Sequence, residues 1–218
     1  MQNLDLSKIK KSLFPKSKIK AIVFDYGGVI ETRDVDLFKE ITDYLGIDRK
    51  EFRNVYLNFN HLYNIEGREY KEILSIVAKK FNASNEQVAH ICKLQDEMDK
   101  MWKVNDELVN LIKDLKKNYK IGMLSNFSGE LRQIMVNQGT ENLFDTVIIS
   151  CEVGYQKPQL GIFQILFDKL GVKSKEVIFI DDSPSSLVGA EDIGYIPILF
   201  TSNQDLKEKL KRLGVEFY

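Results

Sequence analysis

Residues 19–29 read Ile-Lys-Ala-Ile-Val-Phe-Asp-Tyr-Gly-Gly-Val. A short, nearly uncharged run rich in Ile and Val stops at an acid and two glycines. Such a run suits a strand covered on both faces, the setting of a parallel sheet. Residues 121–124, 146–149, 177–180 and 196–200 have the same character. Helical patterns lie between them. Leu108, Leu111, Ile112 and Leu115 fall at helical spacing, as do Phe163, Leu166, Phe167 and Leu170, with Gly171 as a C-terminal stop. Strands alternating with helices predict an α/β fold built on a parallel sheet.

The alternation breaks between residues 31 and 104, where helical patterns occur without a convincing strand. Leu37, Phe38, Ile41, Tyr44 and Leu45 form one apolar stripe, and Tyr70, Ile73, Leu74, Val77 and Phe81 another. Ser84 with Gln87 makes a capping box that opens a further helix. These stripes can pack on one another as a small bundle. The expected organisation is a core from residues 19–30 and 105–218, a helical cap from 31–104, and a basic N-terminal extension over 1–18. The first twenty residues carry Lys8, Lys10, Lys11, Lys16, Lys18 and Lys20. They lack arginine, and no apolar segment or cleavage site follows, so a targeting peptide is not indicated.

Composition narrows the function classes. The charge of −1, from 31 basic and 32 acidic side chains, gives no electrostatic case for a nucleic-acid or membrane partner. No apolar run is long enough to span a bilayer. The two cysteines, Cys92 and Cys151, form no C-x-x-C, and the two histidines are far apart, so neither a disulfide scaffold nor a zinc site is indicated. A reducing, cytoplasmic compartment is the expectation.

In open parallel sheets, ligands bind at the carboxyl ends of the strands. There the sequence places Asp25 to Val29, then Ser125-Asn126, then Lys157-Pro158, then Asp181-Asp182. Singly, these are turn, cap or surface residues. In order at successive strand ends they can hold a metal and a phosphate together. Mg²⁺ favours a few carboxylates with a phosphate oxygen and waters. Asp25 and Asp182 can supply the carboxylates, and the Gly27 carbonyl a further ligand. Ser125 and backbone N–H groups such as that of Gly28 can bind phosphoryl oxygens. Lys157 can offset the gathered negative charge. Asp25 can then attack phosphorus in line and become covalently phosphorylated.

The same residues resemble the haloacid dehalogenase superfamily of phosphatases and related enzymes from about residue 20 to 200. Its first motif matches Asp25-Tyr26-Gly27-Gly28-Val29, and its second matches Ser125. Its third matches Val153-Gly154-Tyr155-Gln156-Lys157-Pro158, and its acidic pair matches Asp181-Asp182. The resemblance implies a Rossmann-like core with a helical cap after the first strand. It also implies a small phosphorylated substrate such as a sugar phosphate, and a backbone N–H from Asn126 to the phosphoryl group. Asp181 and Ser186 would lie behind the metal ligands.

Two positions depart from the family pattern. Gly27 replaces the Asp that protonates the leaving group and later activates water, help worth about 10²–10⁴-fold. Either the leaving group needs little protonation, or another side chain such as Glu31 or His61 supplies the proton, or turnover is weak. Ser186 stands where Asp or Asn is common. Two alternatives follow: a metal-independent 2-haloacid dehalogenase, and a binding or regulatory protein on the same scaffold. Both acids of the fourth motif are present, which sets the chain apart from dehalogenases. Arg33, just past the first motif, can meet an anionic group or be a solvated charge. Tyr63 lies with His61 in the cap, Cys151 reads as an inert thiol, and Trp102 as hinge packing.

Overall fold

The computed structural model describes residues 19–217; the basic extension expected over 1–18 lies outside them. Strands in chain order are β1 (Ala21–Phe24), β2 (Glu31–Thr32), β3 (Lys103–Val104), β4 (Lys120–Ser125), β5 (Thr146–Ile149), β6 (Val177–Asp181) and β7 (Ile196–Leu199). Helices α1 (Leu37–Leu45), α2 (Arg49–Asn64), α3 (Tyr70–Lys80) and α4 (Asn85–Asp99) precede β3. Then come α5 (Asp106–Leu115), α6 (Glu130–Asn137), α7 (Ser150–Val153), α8 (Leu160–Leu170), α9 (Ala190–Ile193) and α10 (Asn203–Arg212).

Five strands form one parallel sheet in the order β5-β4-β1-β6-β7. Period-two alternation divides β1 between two cores. Ile22 and Phe24 pack with Leu108, Ile112 and Leu115 of α5 and Leu206 and Leu210 of α10. Ala21 and Val23 pack with Ile162, Phe163, Leu166 and Leu170 of α8. Gly171 ends α8 in the left-handed region at φ 64°, where an L side chain is strained. This is the Rossmann-like core with helices on both faces.

Helices α1 to α4 form the inserted all-helical cap around their own apolar cluster, which includes Leu37, Ile41, Phe52, Ile73, Leu74, Val77 and Ile91. Ser84 and Gln87 make both bonds of the capping box. Tyr44 does not join the stripe expected of it. It is 45% exposed, and its ring lies 4.2 Å from that of His90 on α4. The stretch read as strand-free also contains β2 and β3. They pair antiparallel, Glu31 with Val104 and Thr32 with Lys103, where the chain enters and leaves the cap. Two residues carry no detectable period, so such a ribbon is invisible to pattern reading.

Candidate active site

Register brings the site together. Phe24 aligns with Met123 of β4 on one side and Ile180 of β6 on the other. The residues one or two steps further on, Asp25, Ser125 and Asp181, therefore emerge at one sheet edge. The Asp25 N–H is held by the Ile180 carbonyl at 2.8 Å.

Lys157 reaches this edge from the loop before α8. The Asn126 side chain fixes that loop at both ends of one residue: its Oδ1 accepts from the Lys157 N–H at 2.7 Å, and its Nδ2 donates to the Lys157 carbonyl at 3.1 Å. Asn64 at the end of α2 ties the cap to the same loop, donating to Gln156 Oε1 at 2.8 Å. Far from being a surface lysine, Lys157 is buried. Its Nζ lies 2.9 Å from Asp25 Oδ2 and 2.6 Å from Asp181 Oδ2. Burial lowers the affinity of the ammonium for its proton, but the two carboxylates more than reverse this, and the net shift is upward. Burial pushes the Asp25 carboxyl up, to about 7, against the pull of Lys157 and with a further push from Asp181. The Ser125 hydroxyl, bonded to Asp25, favours its ionised form.

The remaining acceptors decide what a cation can use. Asp181 is fully buried with both oxygens engaged, Oδ2 by Lys157 and Oδ1 by the Ser183 N–H at 2.8 Å. Asp182 is exposed and lies against Gly28, where a Cβ would stand 2.2 Å from its Oδ2. With φ at +77° as well, position 28 requires glycine. Although the residue as a whole is exposed, its carboxyl is partly desolvated within the cluster, and this together with the neighbouring Asp181 raises it. One oxygen from each of Asp25, Asp181 and Asp182 lies within 4.8 Å of the others. An all-carboxylate, hard-oxygen donor set of this kind fits Mg²⁺.

A cavity of about 520 Å³ opens from Asp25 toward the cap. Asp25, Gly27, Ser125, Asn126, Lys157 and Ser186 all line it. Gly28 and Asp182 line an adjoining cavity, which also reaches Gly27. Of the two side chains considered as proton sources, Glu31 lines the main cavity, whereas His61 is exposed and outside its wall. Tyr63 does face the cavity, against the Phe127 ring at 5.3 Å. Cys151 is partly buried, and burial raises its thiol, in keeping with an inert role. Arg33 is not a solvated charge. Its side chain is 15% exposed, and its guanidinium lies 4.3 Å above the Trp102 ring, beside both cavities. Gln95 and Gln138 also line the wall, unforeseen from the sequence. Gln95 had a signal: it interrupts the buried stripe Ile91, Gln95, Met98 of α4.

Glu31 is 3% exposed and accepts from Gln138 Nε2, whose Oε1 accepts in turn from the Tyr26 hydroxyl at 2.6 Å. Burial raises its carboxyl above the ordinary 4.5, opposed by the Gln138 bond and reinforced by Asp99. A folded value above the unfolded one means stability is complete below about 4.5 and falls as pH rises through the folded value. Glu31→Gln keeps an acceptor for Gln138 and removes the titration. Its midpoint of thermal unfolding should exceed the parent's by a margin that grows from pH 4 to pH 8; a constant margin would exclude Glu31 as the source.

The haloacid dehalogenase-like hydrolase profile matches residues 19–194. Bifunctional epoxide hydrolase 2 of Mus musculus is 41% identical over 75 residues, 34% of this chain but 14% of that protein. The chain thus spans much less than two thirds of that relative. D-ribitol-5-phosphate phosphatase of Bacteroides thetaiotaomicron is 25% identical over 213 residues, covering 88% of this chain and 97% of that one. A solved HAD family enzyme from the same organism, in complex with magnesium and inorganic phosphate, superposes with a TM-score of 0.60 at 21% identity. It covers 88% of this chain and 98% of its own. The chain belongs to the haloacid dehalogenase-like hydrolases, and phosphatases are among its relatives.

Proposed function

We propose that the chain is a Mg²⁺-dependent phosphatase that hydrolyses a small phosphate ester, such as a sugar phosphate, through an aspartyl-phosphate on Asp25. The observation that carries this is the pairing of one buried ammonium, Lys157, with both Asp25 and Asp181, next to the exposed Asp182. That arrangement holds a nucleophilic carboxylate beside a phosphate-sized charge sink.

Asp25, the Gly27 carbonyl and Asp182 would hold the ion. Asp181, with both oxygens engaged, and Ser186 would support it from behind. When bound, Mg²⁺ supplies charge neutralisation for the transferring phosphoryl group. The chain's own residues do the rest. Ser125 and the backbone N–H of Asn126 orient the phosphoryl oxygens, and Lys157 offsets their charge; the Gly28 N–H, expected to join them, is instead taken up by the Glu31 carbonyl at 2.7 Å. An Asp25 oxygen bonds to phosphorus as the ester P–O bond breaks, and the leaving oxygen takes a proton from water. Water then adds to the phosphoryl group, releasing inorganic phosphate and freeing Asp25. With glycine at 27, leaving groups that need little protonation react best.

The test is p-nitrophenyl phosphate hydrolysis with and without Mg²⁺, beside Asp25→Asn. Release that requires both the ion and Asp25 supports the proposal. Metal-independent chloride release from chloroacetate would instead favour the dehalogenase alternative. Neither activity, with the cellular role surviving loss of Asp25, would favour a binding or regulatory scaffold.

A further inference from the structure

Hydrogen bonds at the foot of the cap close into a ring. Asn64, the last residue of α2, donates from Nδ2 to Gln156 Oε1 at 2.8 Å. Gln156 precedes Lys157, whose N–H and carbonyl are both held by the Asn126 side chain. Asn126 precedes Phe127, whose N–H donates to Ser150 Oγ at 3.0 Å. The Ser150 hydroxyl donates to the Asn64 carbonyl, which returns the ring to its start.

Of these residues, Asn64 alone belongs to the cap. The others lie on the two core loops that deliver Asn126 and Lys157 to Asp25. Asn64 is 5% exposed and Ser150 is fully buried, so water does not readily replace a lost bond. Beside Asn64, the Tyr63 ring packs on that of Phe127 at 5.3 Å. Tyr63, Asn64, Asn126, Phe127 and Lys157 all line the main cavity. The Gln156 N–H bonds within its own loop, to Gln159 Oε1 at 2.8 Å. It is therefore Asn64 that ties Gln156 to another element.

We propose that Asn64 is a positioning residue for Lys157. By gripping Gln156 from the cap, it fixes the loop that carries the buried ammonium. The phosphate pocket is then complete only with the end of α2 docked on the core. Asn64 acts through Gln156 and not on the reacting atoms. What the pocket binds rests on the phosphatase reading; the mechanical link between Asn64 and Lys157 does not.

Amide hydrogen exchange and phosphate binding read these two parts separately. In the full chain carrying Asn64→Leu, exchange of the Lys157 N–H should quicken about three- to tenfold, the effect of losing one hydrogen bond. Exchange at Ile22, paired on both sides within the sheet, should stay at the parent rate. Calorimetric titration with inorganic phosphate and Mg²⁺ should show affinity weakened by a similar factor. Gln156→Leu should reproduce both effects, and the two substitutions together should be no worse than either alone. A Lys157 amide that exchanges at the parent rate in Asn64→Leu would sink the inference. So would an equal quickening at Ile22, which would make Asn64 a general stabiliser of the fold. Additive effects of the two substitutions, or phosphate bound equally tightly by parent and variant, would also overturn it. If the Lys157 amide quickened but phosphate bound neither protein, the positioning link would stand and the phosphatase reading alone would fall.

Discussion

Lys157→Met is expected to abolish turnover and to cost the fold about 3–5 kcal/mol at neutral pH. Methionine keeps the length and apolar stem of the side chain, so packing changes little. The charge is what goes. Lys157 is 1% exposed at its side chain and is bonded to both Asp25 and Asp181. Without it, two buried carboxylates face one another with no cation between them, and one must take up a proton. The folded-state values of the acids then rise, so the lost stability should be partly recovered as pH falls toward 5. Urea unfolding at pH 7 and pH 5 reads both parts. A variant as stable as the parent at both pH values would show that the ammonium is not the keystone of this cluster.

Gly27→Asp works in the opposite direction. It should raise turnover of alkyl phosphates by about 10²-fold and leave p-nitrophenyl phosphate release within a few-fold. A Cβ built at Gly27 meets nothing within 4 Å, and its backbone is not among those at positive φ, so a side chain fits without strain. Position 27 lies on the cavity wall two residues from Asp25. A carboxylic acid there can protonate an alkoxide as it departs, a role that the native glycine at 27 leaves unfilled. A nitrophenolate is stable enough to leave unassisted. Comparing kcat on the two ester types separates the cases. Equal effects on both would mean that proton delivery is not what limits the native site.

The parts of this molecule that sequence reveals are those set by local chemistry. An apolar run of four or five residues rich in Ile and Val, ending at Asp25, Ser125 or Asp181 and recurring between helical patterns, reads as a buried strand delivering a polar group to a sheet edge. The Ser84 cap and the Gly171 stop are equally local. What stayed hidden depends on distant partners. Lys157 was legible as the cation of the site, but its burial between Asp25 and Asp181, on a loop pinned by Asn126, was not. Arg33 reads as a solvated charge because the Trp102 ring that shields it enters from the far end of the cap. Gln95 lay between, since a polar residue inside the Ile91 to Met98 stripe was visible but had no assigned purpose.

The short ribbon of β2 and β3 has a consequence for chain entropy. Because the two crossings pair with each other, the core meets the insert as the closed end of a hairpin. The entropy of closing such a loop grows only with the logarithm of its length, about 0.6 kcal/mol for each doubling. To the sheet, four helices are therefore scarcely more burdensome than a turn of modest length. The insert must hold itself together through its own apolar cluster around Phe52, Leu74 and Ile91. Its size and inner surface are thus free to vary without taxing the register that gathers Asp25, Ser125 and Asp181.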